Sequence, residues 1–218
     1  MLYGTLSADI VKSTSLSAED TFRLKEYLQS FIDELLVDND CDWGRIVKGD
    51  EVELVRTNPN ELLRIALILK CYVRFFKPED EFDIDFKRQG IRISIGIGEL
   101  RINDKQQGII DGEAIYLSGR GLVYLSKAKN ETIFFSSNDP SLDGIEVICS
   151  LLDTIISKAT SRQCEVLYYK LKKYSELKIA DILKIKQSAV NQHATSASWN
   201  AIAKAVNYFE KYHFNNKD

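Results

Sequence analysis

The chain has 218 residues, 44% apolar and 28% charged, which suits one large globular domain or a medium domain with a small one. No apolar run approaches the roughly 20 residues of a membrane span, and Met1-Leu2-Tyr3 lacks the basic start of a secretory leader, so a cytoplasmic protein is expected. The net charge of −3 is unevenly spread: residues 1–145 carry 18 Lys/Arg against 25 Asp/Glu, and residues 146–218 carry 11 against 7.

A basic tail region on an acidic body permits a nucleic-acid contact. The cysteines, Cys41, Cys71, Cys149 and Cys164, form no C-x-x-C, and only His193 and His213 could join them. That argues against a zinc site and for reduced packing residues.

Gly4 to Val11 reads as a strand whose apolar run ends at Asp9, followed by a Ser/Thr-rich turn. Ser17 is placed to cap a helix, with Asp20 as the capping partner three residues on. That helix carries Phe22, Leu24, Leu28, Phe31, Leu35 and Leu36 on one face, and Asp38-Asn39-Asp40 ends it. Residues 43–48 and 51–56 are two strands around the turn Lys48-Gly49-Asp50. Strand, acid, tight turn thus occurs twice, about forty residues apart. If the strands are neighbours, Asp9 and Asp50 face each other and can hold Mg²⁺ or Mn²⁺, since hard cations take carboxylate oxygens and usually touch phosphates as well. The plain alternative is an Asx turn at Asp9 and an ordinary hairpin at Gly49-Asp50.

Asn58-Pro59 opens a second helix, running to about Phe76 through Leu62, Leu63, Ile65, Ala66, Leu69 and Val73. Residues 77–89 are charged and read as loop. From Gly90, Ile91, Ile93, Ile95 and Ile97 alternate with Arg92, Ser94, Gly96 and Gly98, the clearest strand signal in the chain. The two glycines leave room for a nucleotide or for a helix. Glu99 is either a third metal ligand or a solvent-facing sheet residue. Residues 101–108 read as a polar turn, a helix begins near Asp111-Gly112-Glu113, and Glu131 to Ser136 is a last strand. The order predicts an α+β, ferredoxin-like domain over 1–145, with a mainly antiparallel sheet and helices on one face.

Residues 137–145 are the best linker signal. The second domain, 146–218, is all-α. A helix over 146–158 places Ile148, Leu151, Leu152 and Ile155 together. Thr160 and Gln163 form a capping box, and the next helix carries Val166, Leu167, Tyr168 or Tyr169, and Leu171. Helix 176–183, a short turn and helix 188–197 follow, with the small Ala180 where two helices cross. This is a helix-turn-helix pattern. Lys184, Lys186, Gln187, Ser188, Asn191, Gln192 and Thr195 are its candidate DNA-contacting residues, because Asn and Gln can pair bidentately with adenine. The alternative is a protein-interaction bundle, since no Lys or Arg lies between Ser188 and Thr195. The final helix presents Trp199, Ile202, Val206 and Phe209 to the three-helix unit or to a second copy.

Asp9-Ile10 with Ser13-Thr14, Gly49-Asp50, the strand Ile93 to Gly98, and Gly112 through Arg120 resemble the class III nucleotide cyclases. The resemblance implies that Asp9 and Asp50 bind two metals, that Arg120 is the transition-state arginine, and that sites form between two subunits. Tyr116 stands where that family has its catalytic Asn, while Ile46 and Ile109 stand where it reads the purine. Ile46 takes the position of that family's purine-reading lysine, which Arg45 or Lys48 could replace only with a shift of register or a different pose. Asp9, Gly49-Asp50-Glu51, Gly96-Ile97-Gly98-Glu99, Ser188-Ala189-Val190 and Trp199 are similar to the SatD family of small bacterial proteins, over nearly the whole chain.

The expectation is a homodimeric, ligand-responsive transcriptional regulator. Asp9, Asp50 and Glu99 would hold metal; Lys48, Arg45, Gly96 and Gly98 would meet a nucleotide or phosphorylated ligand; Arg120 and Tyr116 would occupy the catalytic positions. The alternatives are an active nucleotidyl cyclase of altered base preference and a scaffold without ligand.

Overall fold

The computed structural model describes residues 1–37, 42–47, 49–79, 90–104, 107–212 and 214. Among the described residues five strands form the main sheet, in the order β2-β3-β1-β4-β7. They are β1 (Tyr3–Ile10), β2 (Trp43–Val47), β3 (Glu51–Arg56), β4 (Ile91–Gly98) and β7 (Ile133–Ser137). All neighbours are antiparallel except β4 and β7, which run parallel. The mixed α+β character and the β2–β3 hairpin agree with the sequence reading. Residues 101–108, expected as a turn, instead belong to a small hairpin of β5 (Leu100–Asp104) and β6 (Ile109–Gly112).

Helices cover both faces of the sheet, which corrects the one-face expectation. The isoleucines of β4 are fully buried on the face shared with Leu6, Ala8, Val52 and Leu54, against α1 (Ala18–Val37) and α2 (Leu62–Arg74). Ser94, Gly96 and Gly98 point the other way, to α3 (Glu113–Lys127). On that face Thr5 Oγ1 donates to the Ala114 carbonyl at 2.7 Å, and Ser7 and Ser118 hydroxyls meet at 2.9 Å.

Ser17 does cap α1: its Oγ accepts the Asp20 N–H at 3.1 Å. Asp20 itself is buried and takes a 2.9 Å bond from Arg23 and the Glu79 N–H at 3.0 Å, so it ties α1 to the chain beyond α2. Phe22 and Leu36, assigned to the apolar face of α1, are exposed, and Ile32 is buried in their stead. The packed face follows the 100° helical step from Leu24, and those two residues fall off it.

The expected linker 137–145 is structured. After β7 comes a 3-10 turn (Pro140–Leu142), then α4 (Asp143–Ser157), with Leu142 and Ile145 buried in the main core. α4 turns Ile145, Cys149, Leu152 and Ile156 inward and leaves Leu151 exposed, a shift from the face expected. The remaining helices are α5 (Ser161–Leu171), α6 (Glu176–Leu183), α7 (Gln187–Ser196) and α8 (Trp199–Glu210). The Thr160/Gln163 capping box is formed at α5. α8 returns to the main core: Phe209 lies edge-on to Phe135 of β7 at 6.2 Å, and Arg64 of α2 pairs with Glu210. A smaller cluster, Val166, Ile179, Val190 and Ala194, joins α5, α6 and α7.

Cys71, Cys149 and Cys164 are free and buried, as a packing role requires, and the thiols of Cys71 (α2) and Cys164 (α5) are hydrogen-bonded. Cys41 and His213 lie outside the described residues.

Candidate functional site

β1 and β3 are antiparallel neighbours, with Asp9 opposite Glu51 and Asp50 in the preceding turn. On the other side Asp9 is opposite Arg92, the second residue of β4. One end of the sheet therefore gathers three carboxylates and a guanidinium. Asp9 Oδ2 lies 3.4 Å from Arg92 Nη1, while Asp9 Oδ1 is buried with no hydrogen-bond partner. Burial pushes the Asp9 carboxyl up to about 6; Arg92 opposes this, and repulsion from Asp50 and Glu51 adds to it. The chain next to Asp9 is held tightly. Lys12 takes a left-handed φ of 58°, uncommon for a residue with a side chain, and opens a 3-10 turn (Ser13–Ser15). Ser15 Oγ donates to the Lys12 carbonyl at 2.7 Å.

Carboxylate oxygens are the donors that a hard divalent cation takes. An orphaned carboxylate oxygen beside two further carboxylates is an oxygen-only donor set, and a cation would relieve their repulsion. Among the described residues no three His, Cys, Asp or Glu side chains converge closely enough to form a metal cluster. An ion held by Asp9 and Asp50 would then keep much of its water shell, as Mg²⁺ commonly does. Lys48, expected to meet phosphate, lies outside the described residues.

The other expected site residues fall elsewhere. Glu99 follows β4 at the end opposite Arg92, seven residues along the strand from it, so roughly 20 Å from Asp9. Its carboxylate lies 3.9 Å from the amino terminus of Met1. The placement of Glu99 with the Asp9 metal site is therefore corrected within one chain: β1 and β4 run in opposite directions. Glu99, Tyr116 and Arg120 instead line a shallow cavity of about 720 Å³ together with Glu113 and Asn138. Tyr116 donates to Asp111, and that bond raises the phenol's pKa, making it a poorer base still. Arg45 is engaged by Glu53 at 2.7 Å and stacks on Trp43. The space at Gly96 and Gly98 is taken by α3: a Cβ on Gly96 would lie 2.3 Å from the Ala114 carbonyl oxygen, and one on Gly98 2.6 Å from Glu113 Oε2.

The sequence alone does not mark Arg92 and Glu51 as partners of Asp9. The signal was present in Arg92, the one charged residue of an otherwise small or apolar strand. Only the register shows which acid it meets.

At the far side of the molecule, Lys184, Lys186, Gln187, Ser188, Asn191, Gln192 and Thr195 are all exposed, and Val190 and Ala194 are buried beneath them. Lys184 is itself in the left-handed region at φ 52° and forms the tight turn between α6 and α7. It pairs with Asp181 at 3.0 Å. Ala180 packs on the small cluster, as a close helix crossing requires.

Asp9 supplies a direct test. Its folded pKa lies above the unfolded value of 3.8. Ionised Asp9 therefore costs stability; the cost grows as pH rises through about 6 and is absent near pH 4. Asp9→Asn is expected to stabilise the fold above pH 7 by about 1 kcal/mol, after discounting for the partial exposure of the side chain. Urea unfolding at both pH values checks this, and a gain equal at the two would refute it.

No family model matches the chain, and no curated protein matches it. Among solved structures it is similar to a bacterial light-regulated adenylyl cyclase, at a TM-score of 0.42 and 14% identity, over 62% of this chain and 75% of that one. Among the described residues no helix is long and apolar enough to cross a membrane.

Proposed function

We propose that the chain is a ligand-responsive regulator whose sheet end binds a divalent cation with a nucleotide or phosphorylated ligand, and whose α6–α7 pair is a helix-turn-helix that binds DNA. The observation that carries the first half is Asp9: a half-buried carboxylate whose Oδ1 is buried without a hydrogen-bond partner, directly opposite Glu51 on the neighbouring strand and repelled by Asp50. Mg²⁺ or Mn²⁺ held by Asp9 and Asp50 would supply positive charge to phosphate oxygens. Arg92 sets the orientation of Asp9 and lends a fixed positive charge.

Arg120 and Glu99 stand at the other end of the sheet, so their joining an Asp9 site requires a second copy. A homodimer belongs to the proposal for that reason. It also suits DNA, since one such module contacts little of the duplex. The support for the DNA half is the uniform exposure of the seven polar α6–α7 residues over a buried apolar base.

The experiment is native mass spectrometry with Mn²⁺ and each nucleoside triphosphate. A nucleotide retained intact on a dimer, and lost in Asp9→Asn and Asp50→Asn, is the expected result. A product lacking pyrophosphate would make the chain a cyclase and overturn the regulator reading. Retention of nothing would sink the triphosphate reading. For the helices, Lys184→Glu with Lys186→Glu should weaken binding to duplex DNA by at least about tenfold at low salt and flatten the salt dependence. An unchanged anisotropy curve would leave α6–α7 as a protein-interaction unit.

A further inference from the structure

A second cavity lies far from Asp9, between α2, the α5–α6 connection and α8. It has a volume of about 380 Å³ and is lined by Arg64, Lys170, Lys173, Tyr174, Trp199 and Asn207, among others. An adjoining hollow of about 220 Å³ shares Arg64, Lys173 and Tyr174. Three cations and two aromatic rings converge here in a chain of net negative charge.

Arg64 is held by Glu210 and by the Leu171 carbonyl at 2.8 Å. Lys170 pairs with Glu176 at 3.1 Å, and its ammonium lies 5.3 Å from the Trp199 ring centre. Lys173 differs: it makes no ion pair among the described residues. It also sits at the left-handed position that ends α5, with φ 63°. The Lys173 N–H reaches the Lys170 carbonyl and the Tyr174 N–H reaches the Tyr169 carbonyl, both at 3.0 Å. Glycine is the residue this helix stop favours, and a lysine there is strained.

We infer that this cavity binds a small anion carrying a flat ring, of nucleoside monophosphate size. Lys173 supplies a cation to the phosphate that Glu210 and Glu176 do not already hold, and Trp199 and Tyr174, each with one lysine ammonium over its ring (Lys170 at 5.3 Å, Lys178 at 3.7 Å), leave their remaining surface to the flat ring. The volume lies toward the low end of ligand pockets, which run from about 300 to 1,000 Å³. The site also has a route to α6 and α7. Tyr174 and Trp199 line the cavity and pack against the Val166, Ile179, Val190 and Ala194 cluster that positions those helices. An occupant would bear on that packing from behind. This inference is independent of the Asp9 reading.

Trp43→Phe leaves Trp199 as the single tryptophan. In that background, titration with adenosine and guanosine 5′-monophosphates, without divalent cation, is expected to give a saturable change in Trp199 fluorescence. Lys173→Gly should weaken binding at least tenfold while raising the thermal midpoint, because it removes a cation and relieves the backbone. Lys173→Glu should weaken it further, and Asp9→Asn should leave it unchanged. No saturable change, or equal binding in Lys173→Gly, overturns the proposal. So does adenosine binding as tightly as its monophosphate, which removes the anion, or inorganic phosphate doing so, which removes the ring.

Discussion

Replacing Asp153 with Ala is expected to destabilise the protein by about 3–5 kcal/mol, the cost of stranding buried charged and polar partners. Asp153 is 5% exposed on α4. Its Oδ2 accepts the N–H of Ile133 at 3.2 Å and that of Thr132, where β7 begins. Its Oδ1 accepts the Thr132 hydroxyl, which in turn accepts from the fully buried Lys70 of α2. Lys70 also donates to the Ile91 carbonyl at 2.6 Å. Four elements thus meet at one polar knot inside an apolar core.

Thermal unfolding reads the loss as a drop of roughly 10 °C, at about 2–4 °C per kcal/mol for a chain of this length. A drop of one or two degrees would show that the knot is dispensable. Burial pushes Lys70 down to about 8, while Asp153 pulls it back up. The unfolded lysine, near 10.5, then holds its proton where the folded one has lost it. Stability from this group accordingly rises with pH between about 8 and 10.5. Without Asp153 the lysine is depressed further, so the variant should recover part of its loss as the solution is made alkaline. A constant deficit across that range would refute the coupling.

Gly96→Ala is expected to destabilise by about 3 kcal/mol, the upper range for overpacking a filled interior. The added methyl would lie 2.3 Å from the Ala114 carbonyl oxygen, 2.6 Å from the Ser118 nitrogen and 3.1 Å from Leu117 Cβ. Two of the three are backbone atoms, so no rotamer change relieves the contact. α3 would have to lift from β4, loosening the Thr5, Ser7 and Ser118 hydroxyl layer beneath it. Gly119→Ala, on the same helix with open space around it, is the control and should stabilise slightly through helix propensity. Equal stability of the Gly96 variant and the natural protein would mean that α3 is not seated as described.

The two substitutions mark where sequence reasoning stops. The β4 glycines are visible in an alternating strand, but alternation says only that they share a face. Whether a nucleotide or a helix fills that face depends on α3, which joins β4 from fifteen residues on. Lys70 and Asp153 are eighty-three positions apart, and each reads as an ordinary surface charge on an amphipathic helix. The same limit placed Glu99 beside Asp9, because a list of acidic turns carries no strand direction.

What the sequence by itself determined is local. The Ile91–Ile97 alternation, the Ser17 and Thr160 caps, the Gly49-Asp50 turn and the α6–α7 spacing rest on contacts between near neighbours, whose geometry backbone periodicity and capping chemistry dictate. The exposed polar face of α7 follows from the same periodicity. Only the tertiary structure decided that helices cover both sheet faces, that α4 and α8 share the main core, that Arg92 meets Asp9, and that Lys173 and Trp199 line one cavity. Those facts depend on strand register and on packing between distant segments, where many pairings satisfy the same apolar pattern and the burial of particular side chains selects among them.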